Sequence, residues 1–258
     1  MDLATITPMI LTYNEAPNIG RVLDKLAWAR RILVVDSGST DETLAILAAN
    51  PRVHVVERAF DNAANQCNFG LDLIDTPWVL SLDADYELSD EMVAEFGRLE
   101  PAADIAGYRA GFVYRMFGRA LRGTLYPART VLYRRAQARY RNEGHTQRVM
   151  IEGRVADLSA RIYHDDRKPL SRWLSSQQRY ARVEVDHLLA ADQATLRRTD
   201  RIRLMGWPGP PLVFLYTLLA KGCLLDGWPG WLYVLQRTLA ETMIAIEIID
   251  RRLRSKSA

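Results

Sequence analysis

The chain has 258 residues, of which 48% are hydrophobic and 25% are charged, and its formal net charge is +3. This composition is typical of a globular protein, and only two cysteines in such a length exclude a disulfide scaffold and favour the reducing cytoplasm. No apolar run reaches the ~18–20 residues that a membrane-spanning helix needs, and the N-terminus shows no signal-peptide pattern.

Short apolar runs alternate with helical patterns over the first hundred residues. Strands are predicted over residues 6–11, 31–35, 53–56 and 78–82, and helices over about 18–29, 41–49 and 62–74, with another beginning at Ser89. Strands that alternate with helices form a mostly parallel sheet flanked by helices. The sequence therefore predicts an α/β fold of the Rossmann-like, nucleotide-binding type.

The pattern changes after residue 107. Residues 107–151 are interrupted by Gly, Pro and Arg and predict only short strands, over 108–113 and 131–134, which complete the sheet and supply an acceptor surface. A long helix is predicted over 169–189, and two apolar helices within 207–253. We therefore divide the chain into a sheet-containing domain, residues 1–165, and a C-terminal helical extension, residues 166–258.

Charge is distributed unevenly along the chain. Residues 1–100 carry 17 acids and 7 bases, whereas residues 109–154 carry 11 arginines and 2 acids. Such an excess of guanidinium groups favours an anionic partner, such as phosphates on a nucleotide, a lipid or a saccharide. The alternative interpretation is a solvated face. Nucleic acid is not expected as a partner, because no nucleic-acid-binding motif accompanies the arginines.

Polar side chains follow each of the four predicted strands. Ligands of an open α/β sheet bind at the carboxyl ends of its strands, so these side chains are expected to meet at one edge. Four such clusters indicate a binding site more strongly than any one of them alone. They are Thr12-Tyr13-Asn14-Glu15, Asp36-Ser37-Gly38-Ser39-Thr40-Asp41, Phe60-Asp61-Asn62 and Asp83-Ala84-Asp85.

The sequence Asp83-Ala84-Asp85 predicts a metal site. Mg²⁺ or Mn²⁺ binds few protein carboxylates and completes its shell with phosphate oxygens and water. The ion then stabilises the charge of a departing diphosphate. The alternative is a solvated turn or a helix cap.

The other clusters are suited to a nucleoside. Asp36 could accept a hydrogen bond from a nucleobase or a ribose hydroxyl, or it could cap the following helix. Tyr13 could stack on a base, or it could be a rim aromatic. Neither a G-x-G-x-x-G motif nor a P-loop is present, so a dinucleotide or a P-loop ATPase site is not expected.

The strings LTYNE at 11–15, VVDSGSTD at 34–41 and VLSLDAD at 79–85 resemble those of family 2 glycosyltransferases, which have the GT-A fold. The strings at 121–127, 143–147 and 164–170 resemble those of bacterial lipopolysaccharide inner-core β-1,4-glucosyltransferases. The resemblance implies an inverting transfer of glucose from UDP-glucose to a lipid-linked saccharide, the heptose of the inner core. It also implies a divalent metal, Mg²⁺ or Mn²⁺.

The resemblance further implies roles for individual residues. Leu11 and Tyr13 border the nucleobase, Asp36 binds it, Asp85 ligates the metal, and Asp83 contacts the ribose or the metal shell. Glu143 is the predicted catalytic base, with Asp165 and Asp166 as alternatives, and His164 contacts the metal or the diphosphate. Further nucleotide-sugar contacts are assigned to Glu15, Asn65, Arg129, Arg167 and Lys168. Many relatives have a basic residue within the stretch matching 65–68, where this chain has Cys67.

Tryptophans flank the apolar tail, and the last helix ends in Arg251, Arg252, Arg254 and Lys256. This pattern favours a membrane interface with anionic lipid. We therefore expect a cytoplasmic protein bound peripherally to the inner leaflet of the inner membrane. The alternative is a helical hairpin packed on the sheet or on another subunit.

Two other functions fit the same residues. A nucleotidyltransferase on a related α/β fold would also use paired carboxylates and a metal. A catalytically inactive, membrane-associated protein that binds a nucleotide or a saccharide would keep the fold without the reaction.

Overall fold

The computed structural model describes residues 1–143, 146–192, 194 and 196–257, without the side chains of Glu143, Thr146, Lys256 and Ser257. The chain forms two compact units. The first unit is Met1–Gly118 with Tyr126–Arg167, and the second is Arg119–Leu125 with Lys168–Ala258. The assignment of catalytic function to residues 1–165 remains a proposal.

Eleven strands are described. They are β1 (Ile6–Thr12), β2 (Ile32–Asp36), β3 (Val53–Glu57), β4 (Trp78–Asp83), β5 (Tyr86–Glu87), β6 (Ile105–Met116), β7 (Arg119–Ala120), β8 (Arg129–Arg134), β9 (Ala138–Glu143), β10 (Thr146–Ile151) and β11 (Arg154–His164). The main sheet of the first unit has the order β3-β2-β1-β4-β8-β6-β11-β5. Strands β1 to β4 are parallel, whereas β8 runs antiparallel to both of its neighbours, β4 and β6. Strands β9 and β10 form a separate antiparallel hairpin.

This architecture confirms the predicted α/β class and the parallel half of the sheet. The remaining strands make the whole sheet mixed. Strands β9 and β10 are regular where the sequence predicted irregular chain, and β11 lies where no strand was predicted. The helices of the first unit are α1 (Ile19–Asp24), α2 (Thr43–Ala48), α3 (Ala63–Asp72) and α4 (Asp90–Arg98). Ser89 caps α4 as predicted, because its hydroxyl accepts a hydrogen bond from the Met92 N–H at 3.1 Å.

Apolar residues cover both faces of the parallel strands. Neighbouring residues of β1 belong to opposite layers: Ile10 packs in the layer that contains Phe96 of α4, and Met9 packs in the layer that contains Leu71 of α3. The sequence of a strand that is buried on both faces is a nearly continuous run of apolar residues, which is why these strands could be predicted. The buried layers hold the strand ends, and therefore the polar loops, in fixed positions.

The second unit is helical. Its helices are α5 (Leu170–Ala190), α6 (Arg198–Leu204), α7 (Gly209–Leu215) and α8 (Trp228–Ser257), with a π-helical turn (Tyr216–Ala220) and a 3₁₀ turn (Cys223–Asp226) between the last two. The buried residues Val185, Leu188 and Ile248 pack α5 against α8. Among the described residues, no helix is both long enough and apolar enough to cross a membrane.

A buried ion network joins three helices of this unit. Arg203 donates to both carboxylate oxygens of Glu241 at 2.9 and 3.1 Å and to Glu184 at 3.2 Å, and Glu241 is 4% exposed. Because Arg203→Ala leaves Glu241 buried without its counter-ion, we expect a loss of about 3–5 kcal/mol in the free energy of unfolding. Thermal or urea unfolding would measure it.

The control for this prediction is Arg254→Ala. Arg254 is exposed and pairs with Asp250 four residues earlier at 2.7 Å. Removing such a surface pair changes the free energy of unfolding by less than about 1 kcal/mol. Equal stability losses in the two variants would contradict the assigned role of the buried network.

Candidate active site

The strand register brings three of the predicted clusters to one edge of the sheet. Thr12 pairs with Asp36 across β1 and β2, and Leu11 pairs with Asp83 across β1 and β4. Because β1 lies between β2 and β4, the loops that follow these strands are neighbours. The loops carry the side chains assigned to the nucleotide and the metal.

Asp36 organises the loop after β2. Its fully buried carboxylate accepts four hydrogen bonds, which come from Thr12 Oγ1 (2.8 Å), Gly38 N (2.9 Å), Ser39 N (2.7 Å) and Ser39 Oγ (2.6 Å). Gly38 has φ +86°, a conformation that favours glycine. These donors occupy the lone pairs of both oxygens, so a nucleobase would have to displace one of them to contact the carboxylate. The nucleobase role of Asp36 therefore stays a prediction, alongside a structural role that the sequence did not reveal.

The loop after β1 is hydrogen-bonded to the loop after β2. Asn14, at φ 54°, accepts hydrogen bonds on Oδ1 from Thr40 N at 2.6 Å and Asp41 N at 3.2 Å. These bonds hold the chain just after Tyr13, and β1 ends just before it. Tyr13 is 51% exposed. An exposed ring on a fixed backbone is accessible to a stacking base, and Leu11 lies two residues before it.

Asp85 and His164 lie side by side. His164 Nε2 is 3.3 Å from Asp85 Oδ2, and both residues are 9% exposed. The imidazole ring is surrounded by Tyr86, Tyr114 and Tyr126, with centroid distances of 5.3, 4.6 and 4.6 Å. Burial lowers the pKa of His164, but the adjacent carboxylate of Asp85, assisted by Asp83 and Asp166, raises this pKa above its ordinary value.

Asp83 faces a different partner. Its half-exposed carboxylate lies 3.9 Å from Nη1 of Arg129, whose guanidinium stacks 4.9 Å from the Tyr126 ring centre. Burial lowers the pKa of Arg129, but its interactions with Tyr86, Tyr126, Asp83 and Asp85 raise this pKa by more than burial lowers it. The guanidinium therefore stays charged. This arrangement places a fixed cation beside the Asp83-Ala84-Asp85 sequence, where it could bind a diphosphate.

The predicted metal ligands come together only in part. No group of three or more His, Cys, Asp or Glu side chains is arranged to hold an ion within the chain as described. Mg²⁺ and Mn²⁺ bind through one or two carboxylates plus substrate phosphates, so Asp85 and His164 can serve as the protein ligands of such an ion. The buried Nδ1 of His164 has no hydrogen-bond partner among the described residues, which is the kind of atom that a bound group explains.

A second polar network lies behind His164. Asp165 is completely buried, and its Oδ2 accepts hydrogen bonds from Arg21 (3.1 Å), Gly118 N (3.0 Å) and Arg167 (2.7 Å). These contacts support a structural role for the buried Asp165. Its alternative role as base stays a prediction.

Two residues that were predicted to contact the nucleotide sugar, Glu15 and Arg167, belong to the same network. The buried Asn18 donates to Glu15 at 2.9 Å and to Asp166 at 3.0 Å, and it accepts from the Arg167 N–H at 2.9 Å. Glu15 and Arg167 are thus engaged within the protein, and their contacts with a nucleotide sugar remain predictions. Lys168 is the first residue of the longer segment of the second unit. Its contact with a nucleotide sugar also remains a prediction.

Asn65 lies at the start of α3, where its side chain donates to Asp61 at 2.8 Å. Asp61 also forms a two-point ion pair with Arg58 at 2.8 and 3.0 Å, which lowers the pKa of Asp61. Arg58 was missed, although it directly follows β3. Cys67 is buried in the core, whereas Arg58 reaches this stretch of the chain and donates a hydrogen bond to Gln66 at 2.6 Å.

Glu143 is the last residue of β9. Its side chain, like the whole of His145, lies outside the part of the chain that the structure describes, so its role as base stays a prediction. Arg21, Tyr114 and Tyr126 were not predicted as site residues. They come near His164 and Asp165 through contacts between distant parts of the chain, for which no local motif exists.

Comparison with known proteins identifies the family to which the chain belongs. A family model described as Glycosyl transferase family 2 matches residues 9–152. The lipopolysaccharide core biosynthesis glycosyltransferase LpsC of Rhizobium meliloti is 23% identical over 260 residues, covering 95% of this chain and 92% of LpsC. An uncharacterized glycosyltransferase of Rickettsia felis is 36% identical over 91 residues, which are 35% of this chain and 32% of that protein. The match therefore spans about a third of the Rickettsia relative.

Two solved structures share the fold. The mannosyltransferase PcManGT from Pyrobaculum calidifontis, in complex with GDP-Man and Mn²⁺, superposes with a TM-score of 0.54 at 16% identity, covering 98% of this chain and 88% of that one. Glucosyl-3-phosphoglycerate synthase from Mycobacterium tuberculosis, in complex with phosphoglyceric acid, gives a TM-score of 0.50 at 17% identity, with coverages of 74% and 82%. These similarities confirm the expected GT-A fold.

Proposed function

The chain belongs to glycosyl transferase family 2, and on that premise we propose that it transfers glucose from UDP-glucose to a lipid-linked saccharide with inversion. The proposed acceptor is the heptose of the lipopolysaccharide inner core. The similarity to LpsC over 95% of the chain supports a lipopolysaccharide core acceptor. A nucleotidyltransferase has no comparable support.

The observation that carries the donor assignment is the convergence of Tyr13, Asp83 and Asp85 at one sheet edge. The base would stack on Tyr13, and the diphosphate would extend toward Arg129 and the Asp85–His164 pair. Arg129 would neutralise phosphate charge from its fixed position 3.9 Å from Asp83. We assign this edge of the sheet to the UDP moiety.

We propose that Asp85 and His164 hold a divalent ion, Mg²⁺ or Mn²⁺, together with the diphosphate. When bound, the ion would supply positive charge to the leaving group. The three tyrosine rings around His164 exclude water from one side of the imidazole and fix its orientation. The PcManGT complex with GDP-Man contains Mn²⁺, which supports a divalent ion as the cofactor here.

Inversion requires a base on the side of the sugar opposite the diphosphate. We propose that Glu143 accepts the proton of the acceptor hydroxyl as the hydroxyl oxygen bonds to the anomeric carbon. The bond from that carbon to the diphosphate oxygen breaks at the same time, and the nucleoside diphosphate leaves. A carboxylate is a suitable base for this proton.

The experiment that tests the donor assignment is thermal unfolding with a panel of nucleoside diphosphates. We expect UDP with Mn²⁺ to raise the melting temperature, because a ligand that binds only the folded state stabilises it by RT ln(1 + [L]/Kd). GDP, ADP and CDP at the same concentration should raise it less. A preference for another base would contradict the assignment of UDP.

The second unit carries the proposed membrane contact. Many large apolar side chains of α7, α8 and the turns between them are exposed, among them Leu219 at 61% and Leu225 at 68%. Contiguous apolar patches on a protein surface mark interaction sites. The basic end of α8 complements anionic lipid, so we propose that this unit binds the inner leaflet of the inner membrane from the cytoplasm.

Vesicle binding tests this proposal. Leu219→Gln/Leu225→Gln should weaken binding to phosphatidylglycerol-containing vesicles about tenfold, because two apolar side chains no longer enter the interface. The matched control is Leu73→Gln, which changes an exposed leucine of the first unit. The proposal fails if wild type does not sediment with the vesicles, or if the double variant binds as tightly as the control.

A further inference from the structure

Gln66 of α3 connects the ends of β2 and β3, and its side chain is completely buried. Its Oε1 accepts a hydrogen bond from Nη1 of Arg58 at 2.6 Å, and its Nε2 donates to the Arg58 carbonyl oxygen and to Ser37 Oγ, both at 2.9 Å. These partners fix the orientation of the amide, because a guanidinium group can only donate and a carbonyl oxygen can only accept. Gln66 therefore presents an N–H, and not an oxygen, to Ser37.

This contact determines the direction of the Ser37 hydroxyl. A serine hydroxyl has one proton to donate and two lone pairs that accept. Because Gln66 Nε2 donates to the oxygen, the proton of Ser37 has to point elsewhere. Among the residues that the structure describes, none accepts this proton, and Ser37 is only half-buried. The hydroxyl is thus held as a hydrogen-bond donor that a ligand can reach.

Ser37 lies next to the proposed stacking position of the base. Its backbone N–H donates to the carbonyl oxygen of Thr12 at 2.9 Å, and Thr12 directly precedes Tyr13. The hydroxyl of Ser39, in the same loop, is used differently, because it donates to Asp36 Oδ2 at 2.6 Å. Ser37 therefore supplies a hydroxyl donor beside the aromatic residue that we assign to the base.

A donor held in one direction distinguishes between pyrimidine bases. Uracil carries a carbonyl oxygen, O4, at the position where cytosine carries an amino group. The O4 atom can accept the hydroxyl proton, whereas an amino group at that position would bring two donors together without a hydrogen bond. We propose that the Ser37 hydroxyl donates to O4 of the uracil ring, and that Gln66 is the positioning residue that fixes its direction. This proposal rests on the proposed function, because it takes UDP as the nucleotide at this edge of the sheet.

Ser37→Ala should lower the ratio of UDP affinity to CDP affinity by about fivefold to tenfold, because the hydrogen bond to O4 is lost. Calorimetric titration of each nucleoside diphosphate into the full chain with Mn²⁺ measures the two affinities. Thr40→Val removes an exposed hydroxyl of the same loop and should leave the ratio unchanged. An unchanged ratio in Ser37→Ala, or an equal loss in Thr40→Val, would overturn the proposal.

Gln66→Glu tests the positioning role without altering Ser37. The introduced carboxylate can keep the contact with Arg58, but it presents only acceptors, so the Ser37 proton would turn toward it and away from the base. The ratio of UDP affinity to CDP affinity should therefore fall at least as far as in Ser37→Ala. Thermal unfolding without nucleotide shows whether the variant is folded. A purely structural role of Gln66 would lower both affinities by the same factor, and that result would overturn the assigned positioning role.

The wild-type affinities separate this proposal from the donor assignment. If wild type binds CDP or a purine nucleotide more tightly than UDP, or binds none of them, the proposed donor is wrong, and the contact between Ser37 and uracil is overturned with it. If wild type prefers UDP and Ser37→Ala keeps that preference, the donor assignment stands and only the role of Ser37 is wrong.

Discussion

Asp85→Asn should lower the rate of sugar transfer by about 10²–10³-fold, the effect of removing one electrostatic stabiliser of a developing charge. The substitution keeps the size of the side chain and removes the charge that lies 3.3 Å from Nε2 of His164. The affinity for UDP should fall in the presence of Mn²⁺ and stay near that of wild type in its absence. Steady-state transfer kinetics and calorimetric UDP titrations measure the two quantities.

Asp157→Asn is the matched control for that variant. Asp157 is an exposed carboxylate of β11 that pairs with Arg109, so its substitution should leave both transfer and UDP binding unchanged. Circular dichroism would establish that both variants are folded. Transfer at the wild-type rate by Asp85→Asn would remove this carboxylate from the mechanism.

Glu143→Gln should lower kcat by about 10²–10⁴-fold, because the amide cannot accept the proton of the acceptor hydroxyl. The donor KM should change little, since the base acts on the acceptor side. Single-turnover transfer measures the chemical step. Hydrolysis of UDP-glucose by water should fall less than transfer if Glu143 acts on the acceptor hydroxyl.

Glu152→Gln controls for loss of negative charge in the same segment. Glu143 and Glu152 are the two acids among residues 109–154, and Glu152 is exposed just after β10. It should retain wild-type transfer. If both variants are fully active, neither carboxylate is the base, and Asp166 is the next candidate to test.

The parallel half of the sheet could be predicted because short stretches of sequence are enough to identify its strands. Strands β1, β2 and β4 are continuous apolar runs buried on both faces, and polar residues mark the point where each one ends. Parallel pairing then brings these ends to one edge without further information. The assignment of Tyr13, Asp36 and Asp83 to neighbouring loops followed from that rule.

The second half of the sheet could not be predicted in the same way. Strand β11 carries charged residues along its length and is stabilised by pairing with β6, about fifty residues earlier in the chain. Its identity as a strand depends on that partner and not on local hydrophobic alternation. The cage of tyrosines around His164 has the same origin, because Tyr114 and His164 are partners in this register.

The roles of single residues could be predicted less well from the sequence than the edge of the sheet at which they lie. Asp36 and Asp165 are both acidic residues that follow apolar strand residues, and sequence alone gave each a possible chemical role. Both are completely buried and accept hydrogen bonds within the protein, Asp36 on both oxygens and Asp165 on Oδ2. The sequence shows that a carboxylate is present, but only the fold shows which donors surround it.

The most direct test of the account is transfer of radiolabelled glucose from UDP-glucose, with Mn²⁺, by the full chain. The acceptor is a heptose-terminated lipopolysaccharide core isolated from a strain that lacks the inner-core glucose. We expect label in the core in a β-linkage, with one UDP released for each glucose transferred. Binding of UDP-glucose with no transfer to this core or to any other saccharide would contradict the assignment and leave a binding protein in its place.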